Sequence, residues 1–170
     1  RSTPGVNLTT LDKIDLEWFY TSSSKLKAGK YKFSAARRSY ISNPNNEGKK
    51  RLLMISSFRD KIVQKAILIV LEAIYEPSFL DYSHGFRPKR GTHTALKYIK
   101  FKFKESKWCI EGNIENNFSN VNHKILMNLL KKRIACSKFL VLIKNSMKAG
   151  YVENGKFFES NIGLFHGNLI

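Results

Sequence analysis

The sequence is short of three things: cysteine, acidic residues and long hydrophobic runs. Its 170 residues include only two cysteines, Cys109 and Cys136, which argues against a disulfide framework and against a cysteine metal cluster. Both cysteines have apolar neighbours in the sequence, so we expect them in the core. The most apolar run, residues 66–75, is too short to cross a bilayer and contains Glu72. We therefore expect no membrane span.

Acidic residues are outnumbered by basic residues. The chain has 13 Asp and Glu against 30 Lys and Arg, which gives a formal net charge of +17 at pH 7. Such an excess repels itself in a folded chain, and a polyanionic partner is the simplest reason for keeping it. Nucleic acid is the first candidate, and a basic protein without such a partner is the alternative. An apolar fraction of 42% indicates a folded domain rather than a disordered chain.

The first half of the chain predicts a hairpin followed by a long helix. Residues 37–41 and 51–55 have the character of two strands, and the loop between them is rich in turn formers. Ser57 followed by Asp60 resembles a capping box, after which apolar residues recur at helical spacing. Pro77 is a suitable end for that helix.

The second half predicts a strand, two helices and a second hairpin. The apolar stretch 108–112 is expected to be a strand, and helices are expected at 123–134 and 137–149. Asn154 and Gly155 suit the tight turn of a hairpin. Together the two halves indicate the α+β class.

Seven segments resemble, in order, the reverse-transcriptase part of group II intron maturases, particularly the organellar, intron-encoded ones. They are STPGV (2–6), LKAGKYKFSAARRSYI (26–41), GKKRLLMI (48–55), RDKIVQKAILIVLEAIYEPSF (59–79), SHGFRPKRGTHTAL (83–96), WCIEGNI (108–114) and LIKNSMKAGY (142–151). The resemblance implies a right-hand polymerase fold with an N-terminal segment (1–25), fingers (26–106) and the first part of the palm (107–170). It also implies that the chain stops before the Tyr-x-Asp-Asp strands.

The chain departs from this family at the positions that hold metal and triphosphate. Where the family has two palm aspartates, this sequence has Asn113 and Ser119, and Asn43 replaces a fingers lysine. Residues 165–167 replace the Pro-Gln-Gly motif. Glu115 lies about 6–7 Å along a strand from position 113, too far to take over as a metal ligand. We therefore expect no catalytic residues, no bound metal and no cofactor.

The basic residues remain, and the resemblance makes them candidates for gripping RNA. Phosphate contacts by Lys and Arg give affinity that depends steeply on salt. A helix is expected with Ala95, Leu96, Ile99 and Phe103 on one face, and the alternative role for its lysines is that of an ordinary solvated face. For aromatic residues near the basic clusters, such as Tyr40 and Phe86, the two alternatives are stacking on RNA bases and packing in the core. The RNA-binding candidates are Arg37, Arg38, Lys49, Lys50, Arg51, Arg87, Lys89, Arg90, Lys97 and Lys100.

Three functions stay open on the sequence. The first is a catalytically inactive RNA-binding protein that holds structured organellar RNA during intron folding and splicing, with the mitochondrion favoured over the chloroplast. The second is a structural component of the mitochondrial ribosome or another ribonucleoprotein, bound to ribosomal RNA and neighbouring proteins. The third is the N-terminal half of a split reverse transcriptase, with a separately encoded C-terminal half as partner.

Overall fold

The computed structural model describes residues 5–6, 14–42 and 50–164. Its content is mixed, in agreement with the predicted α+β class. The elements of the described residues are α1 (Leu16–Lys27), β1 (Ala36–Ser42), β2 (Lys50–Ile55), α2 (Phe58–Tyr75), α3 (Thr92–Lys102), α4 (His123–Lys131), α5 (Ser137–Met147), β3 (Tyr151–Glu153) and β4 (Lys156–Phe158).

The chain divides into two compact units. The second unit is the continuous segment Ile69–Glu115, and the first unit is built from the described residues on either side of it. Helix α2 begins in the first unit and ends in the second. No helix in the described part of the chain is long and apolar enough to cross a membrane. The boundary expected between fingers and palm at residue 106 stays a prediction.

The first unit contains a four-stranded sheet in the order β2-β1-β3-β4. The predicted first hairpin is confirmed, because β1 pairs antiparallel with β2 and places Arg37 opposite Ile55. Strand β1 also pairs parallel with β3, and the amide of Ala36 donates to the carbonyl of Gly150 at 3.0 Å. The centre of the sheet therefore joins residues more than a hundred positions apart in the sequence.

The second predicted hairpin is also confirmed. Strands β3 and β4 pair antiparallel across Asn154 and Gly155, whose φ angles are 50° and 76°. Two successive positive φ angles define the primed turn that matches the twist of a hairpin. Asn and Gly are the residues that adopt this conformation at least cost, so the local sequence alone was enough to place the turn.

Helix α2 begins where the sequence predicted. The amide of Asp60 donates to Ser57 Oγ at 3.2 Å, and Ser57 Oγ donates to Asp60 Oδ2 at 2.7 Å. Asp60 is buried, and it also accepts from Tyr31 Oη and from the amide of Ser34, both at 3.0 Å. Burial, followed by the nearby Asp60 carboxylate, raises the pKa of Tyr31. The helix ends at Tyr75, immediately before a 3-10 turn that contains Pro77.

The core lies in the first unit, where the sheet, the start of α2 and the pair α4–α5 supply buried apolar side chains. Each large one contributes about 1.5–3 kcal/mol relative to full exposure. The buried apolar residues are Tyr31, Ala36, Met54, Ile55, Phe58, Val63, Ile67, Met127, Ile134, Leu140, Ile143 and Met147. In the second unit, Ile69–Glu115, no apolar residue is buried.

The predicted strand at 108–112 is wrong. This stretch is irregular, and Trp108 and Ile110 are 90% and 98% exposed. An apolar run becomes a strand only when a neighbour satisfies its backbone hydrogen bonds. None of the four strands of the described sheet pairs with it. The two following helices are also shorter than predicted, ending at Lys131 and Met147.

The predicted burial of both cysteines is wrong. Cys109 and Cys136 are free thiols and both are exposed. Cys109 belongs to the irregular stretch that lacks a strand partner, and Cys136 occupies the N-cap position of α5. Apolar neighbours in the sequence do not ensure burial, because Ile134, two positions before Cys136, is buried while Cys136 is exposed.

Candidate nucleic-acid interface

Arg38 is held on the sheet of the first unit by residues distant in the sequence. Its Nη1 donates to Tyr151 Oη at 3.0 Å and to Glu153 Oε2 at 3.2 Å. The guanidinium lies 4.9 Å from the ring centroid of Tyr151 and 5.6 Å from that of Tyr40. Tyr40 Oη donates to Glu153 Oε1 at 2.8 Å, and this bond raises the pKa of Tyr40. Arg38 is thus oriented and partly neutralised, with its side chain 25% exposed.

The predicted basic cluster of the first hairpin does not lie on one face. Arg37 directly precedes Arg38 in β1. Because successive side chains of a strand point to opposite faces, the two arginines lie on opposite faces of the sheet. Lys50 and Arg51 open β2, where only their backbone is described. Two predicted positions lie outside the described residues: Lys49, a candidate RNA contact, and Asn43, which was expected to replace a triphosphate-binding lysine.

In the second unit, Arg87 is enclosed by internal partners. Its Nε and Nη2 donate to the carboxylate of Glu76 at 2.9–3.2 Å, and its Nη1 donates to the carbonyls of Leu80 and Ser83 at 2.7 and 2.8 Å. The guanidinium also lies 5.3 Å from the ring centroid of Phe79. Only 6% of the Arg87 side chain is exposed. This geometry organises the loop and leaves little of the guanidinium for another ligand.

The neighbouring basic residues of the same loop are more open. Arg90 donates from Nη2 to Asp81 Oδ1 at 3.1 Å and from Nη1 to the Asp81 carbonyl, and 27% of its side chain is exposed. Lys89 is exposed and has a φ of 60°. Phe86, with a φ of 57°, is 96% exposed. The loop therefore presents a cation and an aromatic ring to solvent.

Lysines line one side of α3. Lys97 and Lys100 are three positions apart and therefore adjacent on the helix surface, and both are exposed. Lys104 follows four positions after Lys100, beyond the helix end, with Nζ 5.7 Å from the ring centroid of Phe101. We call Lys97, Lys100 and Lys104 the α3 lysine row. No acidic residue occurs between Asp81 and Glu105 in the sequence, and Glu105 directly follows Lys104.

Ser119, one of the two positions predicted to have lost a palm aspartate, lines a cavity of about 330 Å³ in the first unit. Arg38, Tyr151 and Glu159 also line it. A Cβ on Gly163, whose φ is 83°, would lie 2.6 Å from the carbonyl oxygen of Ser119, so glycine is required for this close approach. The side-chain oxygens that line the cavity belong to Ser119, Tyr151, Glu159, Ser160 and Asn161. Only the Glu159 carboxylate among them is anionic, and the cationic Arg38 lies beside it.

These residues do not fit a two-metal centre. Two Mg²⁺ ions need several carboxylate oxygens to bridge them and to offset their charge. Nowhere in the described ranges do three His, Cys, Asp or Glu side chains come together in a way that could hold a metal. Asn113 belongs to the exposed, irregular end of the second unit, and Glu115 begins a turn rather than continuing a strand. Residues 165–167 lie outside the described residues.

Sequence reasoning missed the acidic partners of the two arginines. Glu153 is 115 positions away from Arg38, and no local pattern links them. Glu76 lies 11 positions before Arg87, across a proline and a loop. A carboxylate that approaches from such a distance is invisible to motif analysis, although it changes what each arginine can bind.

Comparison with known proteins agrees with the mixed fold. Residues 41–165 match the reverse transcriptase (RNA-dependent DNA polymerase) family. The group II intron-encoded protein LtrA of Lactococcus lactis subsp. cremoris is 41% identical over 169 residues, covering 99% of this chain and 28% of that protein. The 91 kDa protein in the cob intron of Schizosaccharomyces pombe is 38% identical over 168 residues, covering 99% of this chain and 21% of that protein.

A third relative carries maturase in its name. Nuclear intron maturase 1, mitochondrial, of Arabidopsis thaliana is 30% identical over 134 residues, covering 71% of this chain and 19% of that protein. The chain belongs to the reverse transcriptase family, in the branch of group II intron-encoded proteins and intron maturases. It spans less than a third of the length of each of these three relatives.

Proposed function

We propose that this chain binds structured group II intron RNA and supports its folding without copying it. The observation that carries the proposal is the α3 lysine row, three exposed cations in a stretch of sequence without acidic residues. RNA of complex shape is recognised largely through phosphate contacts, which need an open cationic surface rather than a catalytic centre. Lys89 and Phe86 extend that surface with a cation and an exposed ring able to stack on an unpaired base.

The other predicted RNA contacts contribute unequally to this proposal. Arg90 and Arg38 keep about a quarter of their side chains exposed, so each can add a contact while remaining paired. Arg87 is almost fully covered, and its role in the proposal is to hold the loop that presents Lys89. Arg37, Lys49, Lys50 and Arg51 remain candidates from the sequence.

The absence of polymerase activity is part of the proposal. Asn113 and Ser119 stand where the family has aspartates, and an amide or hydroxyl oxygen carries no charge to offset a metal. The cavity at Ser119 supports this, because the carboxylate of Glu159 shares it with the guanidinium of Arg38. No reaction step is therefore assigned to this chain.

The location and partner RNA follow from the relatives. One relative is named for a position in the cob intron and another is named a mitochondrial intron maturase. The names of these proteins support a mitochondrial setting and an intron as the RNA, while LtrA from Lactococcus lactis shows that the branch includes bacterial proteins.

The test is to crosslink the protein to RNA in its native cell and sequence the bound fragments. We expect fragments from the structured domains of an intron, and Lys97→Gln with Lys100→Gln should reduce their recovery. In vitro, the same double variant should lower the slope of log affinity against log salt by about 2, because two phosphate contacts are removed. Fragments confined to one region of ribosomal RNA would instead show a structural ribosomal protein.

A second measurement tests the missing activity. Primer extension with Mg²⁺ should be absent for the natural chain, with a reverse transcriptase of established activity as the positive control. Extension by the natural chain, alone or with a separately encoded C-terminal half, would refute the inactive assignment and favour a split reverse transcriptase. The Asn113→Asp, Ser119→Asp double variant asks whether restoring both carboxylates changes the result.

A further inference from the structure

A cleft of about 680 Å³ lies between α4 and α5 in the first unit. It is separate in sequence from every predicted RNA contact, all of which precede residue 101. Each helix presents one side to it: Lys124, Asn128 and Lys131 on α4 are four and three positions apart, and Lys144 on α5 lies four positions after Leu140 and three after Val141. This spacing is that of a single helix face, so the cleft has two ordered walls.

The rim of the cleft is cationic. Lys124, Lys131, Lys144 and Lys148 all line it, and all are exposed. No acidic residue occurs in the sequence from residue 116 to residue 152, and no described carboxylate lines the cleft. Four lysines without a local counter-charge attract an anionic ligand, and a chain of phosphates satisfies several of them at once.

The apolar floor of the cleft and the asparagine amides at its edge indicate which class of anionic ligand it would bind. Met127 and Leu140 form a buried apolar floor, and Val141 is 49% exposed. Asn128 and Asn161 are exposed amides at the edge, and Asn122 keeps its amide NH₂ available because its Oδ1 caps α4. An amide can donate and accept, as the edge of a nucleobase requires.

An unpaired RNA strand has the chemistry that matches all three features. Its phosphates suit the lysine rim, its base edges suit the amides and its base faces suit the apolar floor. In a duplex, the base faces are stacked and the pairing edges are occupied, so recognition would be limited largely to phosphates and 2′-hydroxyls. An acidic amphipathic peptide would match the lysine rim and the apolar floor, but its binding would not account for the asparagine amides.

We propose that the cleft between α4 and α5 binds a short single-stranded segment of RNA, as a site distinct from the α3 lysine row. This inference rests on the proposed function only in taking RNA as the partner.

The experiment measures binding of the full chain to two probes, a 12-nucleotide oligouridylate and an RNA duplex, across a salt series. The cleft variant is Lys131→Gln with Lys144→Gln, and the matched control is Lys97→Gln with Lys100→Gln, which removes the same charge. We expect the cleft variant to lose about tenfold in oligouridylate affinity and about 1.4 in salt slope while keeping duplex affinity. The control should lose affinity for the duplex and keep it for the oligouridylate.

A third variant tests the floor without changing the lysines. Val141 is half exposed, so Val141→Glu should fold, and its carboxylate should reduce oligouridylate binding at least as much as the lysine variant. Unchanged thermal midpoints establish that each variant is folded.

Three results would overturn the inference. Equal losses of affinity for both probes in both lysine variants would show that the lysines act through general charge attraction. If the natural chain binds the duplex but not the oligouridylate, the cleft is not an RNA site and the proposed function still stands. An acidic amphipathic peptide that displaces the oligouridylate at lower concentration than unlabelled oligouridylate would identify a peptide groove. Failure of the natural chain to bind either RNA would refute the proposed function itself.

Discussion

Substitution of Arg87 tests whether this arginine stabilises the loop of the second unit or contacts RNA directly. Motif analysis placed Arg87 among the RNA-binding residues, whereas its guanidinium is bonded to Glu76 and to the carbonyls of Leu80 and Ser83. We expect Arg87→Ala to open the loop of the second unit and to weaken RNA binding only as a consequence. Arg87→Lys should behave in the same way, because an ammonium cannot reproduce the forked geometry that reaches all three partners.

The size of the effect follows from these contacts. Hydrogen bonds to charged groups contribute about 1.5–3 kcal/mol each, and they are not additive within one network. Glu76 is 31% exposed, so water recovers part of the loss when Arg87 is removed. We therefore expect the local opening free energy to fall by about 2–4 kcal/mol. Local amide exchange should accelerate by roughly 30- to 1,000-fold, since about 1.4 kcal/mol is a factor of ten.

Native-state hydrogen exchange is the direct assay. The amides of Phe79, Ser83 and Arg90 donate to carbonyls within the loop and report its opening. Lys89→Gln is the matched control, because it removes one positive charge from the same loop at an exposed position. The control should leave exchange at these amides unchanged and reduce RNA affinity with a smaller salt slope.

The opposite pattern would refute this reasoning. If Arg87→Ala keeps the exchange of these amides and lowers RNA affinity and salt slope as Lys89→Gln does, the guanidinium contacts phosphate. If Arg87→Lys retains full affinity and full protection, charge alone suffices and the forked geometry has no structural role.

Two further predictions concern stability in the first unit. Folding raises the pKa of Tyr31 above its ordinary value of 10.0. As the pH rises, the unfolded chain therefore loses the tyrosine proton before the folded chain does. Above pH 10.0 the free energy of unfolding should fall by up to about 1.4 kcal/mol per pH unit. Denaturant unfolding at about pH 9 and about pH 11 should show this slope, and Tyr31→Phe should lack its contribution; an identical slope in both proteins would contradict it. Gly163→Ala should lower the thermal midpoint well beyond Gly155→Ala, since both have positive φ but only Gly163 would place a Cβ 2.6 Å from Ser119. Equal shifts for the two alanine variants would show that the close approach to Ser119 has no cost.

Local rules predicted the elements whose causes are local. The Asn154–Gly155 turn, the start of α2 at Ser57 and Asp60 and the hairpin of β1 and β2 depend on neighbouring residues, and all three are confirmed. The stretch 108–112 failed because its apolar pattern needed a partner strand that the described chain does not bring to it.

The candidate site divides in the same way. The α3 lysine row is readable from spacing, because a helix puts Lys97 and Lys100 side by side whatever surrounds it. The cleft between α4 and α5 had a signal in the sequence, the run without acids from 116 to 152, but only the packing of two helices turns it into a groove. The covering of Arg87 and the pairing of Arg38 had no local signal.

Residue identity and order are enough to place the chain in its family and to give its positive charge, and they predict the loss of both palm aspartates. The tertiary structure decided which cations face solvent and which are already paired. Glu153 reaches Arg38 only because β3 pairs in parallel with β1, and Glu76 reaches Arg87 only because the loop folds back on the end of α2. Basic residues that look equivalent in the sequence therefore differ in their ability to bind an anionic ligand. The reason is that an ion pair depends on the distance between two charges in space and not on their separation in the sequence.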